Sequence, residues 1–165
     1  MLDILNKFVA SKFEPREELR SPFLLGDYIY ATDSCIAIRI PKFDGADFQV
    51  CDEKFPKLES LFSDNYRDEF VPLPALPKQI ICGTCNGSGT EMDEEDGELM
   101  ECFSCYGNGH QLEIIDVGIT KFKNYYLQKI AGLPGLRFAP HPTDVAAPAY
   151  FFFDGGEGLL MPVRF

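Results

Sequence analysis

The sequence predicts an α+β fold: a single domain built from a duplicated helix-plus-strands unit, with a small metal-binding module inserted near its centre. Two features lead there. An amphipathic stretch of about a dozen residues, accompanied by β-rich segments, occurs near each end of the 165-residue chain. Between them the phrase CGTCNGSG at 82–89 returns as CFSCYGNG at 102–109. A chain of this length buries one good core, or one core plus a small module. Its apolar content of 45% and aromatic content of 13% mark it as globular rather than disordered.

The elements follow in order. In LDILNKFVASKF, residues 2–13, Leu2, Leu5, Phe8, Val9 and Phe13 recur at helical spacing, with Lys7, Ser11 and Lys12 off the stripe or at its margin. EPREELRSP then breaks the helix with two prolines. FLLGDYIYA and CIAIRIP read as the two strands of a hairpin around the polar turn TDS. Residues 41–79 are irregular, punctuated by Pro41, Pro56, Pro72, Pro74 and Pro77. Within them FQVCD reads as a short strand and KLESLF as one or two helical turns. After the insert, QLEIIDVGITKF is a strand candidate. In KFKNYYLQKIAGLPG, a second stripe is formed by Phe122, Tyr125, Tyr126, Ile130 and Leu133, and Gly132 or Gly135 with Pro134 ends it. LRFAP, APAYFFFD and GLLMPVRF read as three closing strands, the last two joined by GGE. Residues 1–79 and 111–165 therefore form one domain together, and 80–110 are the insert. Each helix has one apolar stripe, so both are expected on the same face of a continuous sheet. Phe8 and Tyr126 would point inward and Lys7 and Lys123 away, and the terminal strand carrying Met161 to Arg164 would pair within that sheet.

The insert carries the chemistry. Each copy of the phrase is C-x-x-C-x-G-x-G. One C-x-x-C supplies two ligands, and a structural zinc site needs four in a tetrahedron. Cys82, Cys85, Cys102 and Cys105 supply them at C-x2-C-x16-C-x2-C spacing, as in a zinc ribbon. One zinc per chain is expected. A redox C-x-x-C needs only one pair. Disulfides are disfavoured if the chain is cytoplasmic, as the charged N-terminus with no signal-peptide core suggests. No stretch is apolar enough to predict a membrane span. Cys35 and Cys51 read as buried or half-buried free thiols. His110 directly follows the second copy and is a candidate spare ligand. The acidic run EMDEEDGE lacks the register of a calcium loop and reads as a hairpin tip at Asp96-Gly97.

The net charge of −11 is uneven. Residues 80–110 hold seven acids and no Lys or Arg, whereas residues 111–165 balance five against five. Taken whole, this charge argues against a non-specific nucleic-acid binder. There are two histidines, and no G-x-S-x-G, phosphate-binding glycine loop or H-E-x-x-H. The expectation is a protein that is not an enzyme.

Two resemblances add to this reading. Cys82, Cys85, Gly87 and Gly89, with Cys102, Cys105, Gly107 and Gly109, resemble the repeated C-x-x-C-x-G-x-G of the cysteine-rich zinc domain of DnaJ co-chaperones. That family has four repeats and two zincs, so two repeats here imply one zinc. Its His-Pro-Asp motif has only a distant counterpart in His141-Pro142-Thr143-Asp144, so co-chaperone activity is not implied. The flanks are similar to one domain of the bacterial DNA sliding clamp, the beta subunit of DNA polymerase III. Ala31, Thr32 and Asp33 match its Ala-Thr-Asp hairpin, and Met161, Pro162 and Arg164 its terminal Met-Pro-x-Arg. The clamp has three such domains per chain and no zinc insert. This resemblance implies a clamp-like interaction module, linked to DNA replication or repair. It implies DNA contact through Lys7, Lys12, Lys121, Lys123 and Lys129, with salt-sensitive and weak binding. It also implies a groove for partner peptides lined by Met161, Pro162 and Val163, and it is compatible with self-association. The alternative is a chaperone-like or adaptor protein that binds polypeptides through the zinc module.

Overall fold

The computed structural model describes residues 2–45, 47–51, 56–63 and 69–164. In chain order the first elements are α1 (Leu2–Leu5), a 3-10 helix (Glu17–Arg20), β1 (Phe23–Leu25), β2 (Tyr28–Thr32), β3 (Ile36–Pro41), β4 (Gln49–Val50) and α2 (Pro56–Ser63). The metal module contributes β5 (Thr90–Met92) and β6 (Leu99–Glu101). Then come β7 (Ile114–Val117), β8 (Thr120–Lys123), α3 (Asn124–Ala131), β9 (Arg137–Ala139), β10 (Ala149–Phe153) and β11 (Gly156–Leu160).

Local chemistry sets the turns. At the β2–β3 turn the Asp33 carboxylate accepts the N–H groups of Cys35 and Ile36 at 2.9 and 3.0 Å. The Thr32 hydroxyl donates to the Ile36 carbonyl at 2.7 Å, which leaves Ser34 in the left-handed region at φ 75°. An aspartate opening a turn in this way is a common local solution. The chain then builds one mixed sheet of seven strands in the order β4-β1-β2-β3-β11-β10-β9. Its pairs are antiparallel except β1 with β4. The fold class is therefore α+β, as expected.

Alternation along the strands sorts the core. Ile29, Ala31, Ile38, Phe138 and Phe151 lie in one cluster with Leu5 and Phe8 from the N-terminal segment and Tyr126, Leu127 and Ile130 from α3. Tyr30, Ala37, Tyr150 and Leu159 point the other way and pack with Leu19 and Phe62, from the 3-10 helix and α2. The closing hairpin is set by glycine opposite aromatic residues. Gly158 pairs with Phe151, and a Cβ there would lie 2.1 Å from the Phe151 ring. The ring thus occupies the space that the glycine leaves open.

Several expectations are corrected. The N-terminal helix is four residues, not twelve. It tightens as Lys7 and Phe8 bond three residues back, and the Ala10 N–H then donates to the Leu19 carbonyl at 2.8 Å. Phe8 is buried all the same. FLLGDYIYA is two strands, split by a two-residue turn at Gly26-Asp27 with Gly26 at φ 58°. QLEIIDVGITKF is likewise a hairpin, β7–β8, turning at Gly118 with φ 64°. Phe122 belongs to β8, so the second helix spans only Asn124–Ala131. Met161 to Arg164 lie beyond β11, which ends at Leu160. Their backbone is held instead by Met161 N–H to Cys35 O and Val163 N–H to Lys121 O, both 2.8 Å. Pro162 cannot donate to a ladder, which accounts for the strand stopping there.

Candidate metal centre

The repeat builds two equivalent turns. In each, the residue after the second cysteine takes the left-handed conformation: Asn86 at φ 51° and Tyr106 at φ 52°. The first glycine continues it, at 87° for Gly87 and 74° for Gly107. The N–H of the second glycine then reaches back to sulfur, Gly89 to Cys85 Sγ and Gly109 to Cys105 Sγ, each at 3.3 Å.

The two turns clasp reciprocally. Cys82 N–H donates to Gly109 O and Cys102 N–H to Gly89 O, each at 2.9 Å. The Thr84 hydroxyl meets that of Ser104 at 2.9 Å. A Cβ on Gly89 would fall 2.3 Å from Gly107 O, and one on Gly109 would fall 2.5 Å from Gly87 O. The twenty-residue period is thus an approximate twofold relation, and the second glycine is glycine because the other turn's backbone occupies the space of a side chain.

The clasp brings four sulfurs together. All four ligand atoms lie within 4.8 Å of one another, and all four cysteines are buried. Cys82 Sγ is 3.9 Å from Cys102 Sγ, and Cys85 Sγ is 3.7 Å from Cys105 Sγ. Sulfurs at about 2.3 Å from a tetrahedral zinc stand about 3.8 Å apart. The cluster is therefore suited to one metal ion with four thiolate ligands. Electrostatics points the same way. At Cys85, burial is outweighed by the N–H groups of Gly89 and Gly87, and its thiol is lowered to about 6. Burial pushes the Cys105 thiol up to about 12 and also raises that of Cys102. Four neighbouring thiolates need a cation between them.

His110 is not in this cluster. Its Nδ1 lies 3.0 Å from the Asn108 carbonyl and its ring 6.3 Å from that of Tyr125. At the base of the module Gln111 N–H donates to Ile80 O at 2.8 Å. The acidic tip is a hairpin turn in which Asp93 and Asp96 carboxylates accept the N–H groups of Glu95 and Glu98. Cys35 is half-buried and Cys51 buried, and neither forms a disulfide.

The remaining candidates separate. Lys121 forms an ion pair with Asp116 at 2.5 Å, across the β7–β8 hairpin. Lys12 lies 4.9 Å above the Phe13 ring. Lys7, Lys123 and Lys129 line one cleft of about 920 Å³, which Lys12 and Lys121 do not reach. Lys123 is half-buried rather than turned away, with its ammonium 5.2 Å from the Tyr106 ring. Of the three proposed groove residues, Met161 lines a small apolar cleft of about 200 Å³ with Leu19, Leu58, Leu61 and Leu159. Pro162 and Val163 do not, because Pro162 is buried and Val163 is tied to β8.

Sequence reasoning missed the contribution of Tyr106 and Asn108 to the large cleft, and the floor formed by Asp33, Cys35 and Tyr126. Burial, then the nearby Asp33 and Cys35, hold the Tyr126 hydroxyl above its ordinary value. Among the described residues, no helix is long and apolar enough to cross a membrane. No family model, curated protein or solved structure matches the chain.

Proposed function

We propose that this protein is a non-catalytic binding module in which one zinc ion clasps an acidic insert. Its body is a single clamp-like domain, and its partners are macromolecules. The observation that carries this reading is the buried set of four cysteine sulfurs within 4.8 Å. With four protein ligands a zinc site is closed, leaving no open position for a substrate.

The clamp-like reading draws support from the sheet order. The meanders β1–β2–β3 and β9–β10–β11 meet back to back at the β3–β11 pair. A helical segment precedes each meander, and both send apolar side chains into one cluster. A protein partner is the leading expectation, given the acidic balance; DNA contact would be weak and salt-sensitive. The cytoplasm, with its reduced thiols, is the compartment such a site suits.

A second reading, a polypeptide-binding adaptor, is favoured by one observation: Phe103 and Met92 on the module are 77% and 62% exposed. The two readings separate in one experiment. Zinc-loaded protein is used to capture partners from a native extract and, separately, to bind a reduced unfolded polypeptide. Recovery of replication or repair proteins supports the clamp-like reading. Retention of the unfolded chain, lost on Phe103→Ser, supports the adaptor. Hydrolytic or transfer activity intrinsic to the purified chain would overturn both.

A further inference from the structure

A large cleft lies beside the metal cluster. It is bounded by the segment Asn6–Pro15, by the second metal turn at Tyr106 and Asn108, and by α3. At about 920 Å³ it falls in the size range of small-molecule sites.

Its charged groups divide into two sets. Three carboxylates line it, and each is engaged: Glu14 by Arg16 at 2.6 Å, Glu101 by the Ser11 hydroxyl, and Asp33 by the Cys35 and Ile36 amides. Three ammonium groups line it too, Lys7, Lys123 and Lys129. None of these has a carboxylate partner among the described residues. Two of them stand over aromatic rings instead, Lys123 5.2 Å from Tyr106 and Lys129 4.5 Å from Tyr125. Uncommitted cations beside aromatic faces suit a ligand that carries an anionic group and a planar ring. The anion takes the ammonium groups, the ring takes a tyrosine face, and the amides of Asn6 and Asn108 are at hand for polar ring edges.

We propose that this cleft binds a nucleotide unit, a phosphate carried by a sugar with a planar base, either free or within a single strand. A duplex is disfavoured because its bases are stacked on one another and cannot offer a face to Tyr106 or Tyr125. The inference deepens the binding-module reading, and the metal content of the protein tests that reading separately.

The test is a titration of the zinc-loaded chain at about 50 mM salt, with a labelled oligothymidylate, adenosine monophosphate and a short duplex as probes. The single strand or the mononucleotide binds, and whichever binds more tightly identifies the source of the unit. Two phosphate contacts give a slope of about −1.4 in log affinity against log salt. Lys7→Gln with Lys123→Gln weakens binding at least tenfold. Lys12→Gln with Lys121→Gln, the same charge change outside the cleft, leaves it within twofold. Tyr106→Ala weakens the strand as well, with circular dichroism unchanged for every variant. Absence of binding by both single-stranded probes, tighter binding of the duplex, or equal weakening by the two lysine pairs would each overturn the proposal.

Discussion

Gly89 and Gly109 explain why the phrase is repeated with its glycines as well as its cysteines. Each sits in the left-handed region, at φ 74° and 75°, with the other turn's carbonyl oxygen where a side chain would start. Gly89→Ala is therefore expected to lower zinc affinity by at least about tenfold, since the left-handed backbone alone costs about 1–2 kcal/mol. Gly83→Ala, with open space around it and no positive φ, is the control that leaves affinity unchanged in a chelator competition. The thiols make a second prediction. Burial keeps Cys105 and Cys102 protonated at neutral pH, whereas Cys85, lowered to about 6, is largely ionised there. Metal uptake must then release at least the protons of Cys102 and Cys105, so affinity rises with pH near neutrality, by at least about two log units per pH unit. The sign is fixed: acid weakens the site and mild base strengthens it, as read by competition with a zinc indicator. The ligands were readable from the sequence because C-x-x-C spacing is a ligand geometry in itself. The lysines were not. Lys121 faces Asp116 only once the β7–β8 register is known, and Lys123 meets Tyr106 only where the second metal turn packs beside β8, a tertiary contact that no local pattern encodes.

Among the strands, the closing hairpin depends on two glycines opposite two aromatics, Gly158 with Phe151 and Gly156 with Phe153. Gly158→Ala forces the Phe151 ring out of its place and is expected to cost about 1–3 kcal/mol. Phe151→Leu in that background should recover part of the loss, and thermal melts of the four variants measure the coupling. On the opposite face Arg39 bonds Glu157 at 2.5 Å and lies 4.2 Å from both the Tyr28 and Phe62 rings. The side chains of the pair are 11% and 13% exposed. Glu157→Ala leaves the guanidinium without its carboxylate, an expected loss of about 3 kcal/mol in urea unfolding. The β1–β2 turn is legible in the sequence as Gly26-Asp27 between two apolar runs, a two-residue hairpin signal. The early end of α1 is not. Leu5 and Phe8 are buried as a helix would bury them, so the apolar stripe does not reveal that the backbone leaves the helix after Leu5.

Across the molecule, the seven strands of the main sheet and both large core clusters use no residue from 80–110. The module's own buried cluster consists of the four cysteines alone. Without metal it has little apolar burial to hold it, whereas the body keeps its core. Cys102→Ser is thus expected to abolish zinc retention and open the module to proteases between Glu91 and Glu101. The body should still melt cooperatively, within a few degrees of the parent. The measurement that bears on the whole account is the metal content of the purified chain, by native mass spectrometry with elemental analysis. One zinc per chain, displaced by an excess of a thiol-modifying reagent and absent from Cys102→Ser, is the expected result. A parent chain purified with no metal and a protease-resistant module, or one that carries two ions, would contradict it.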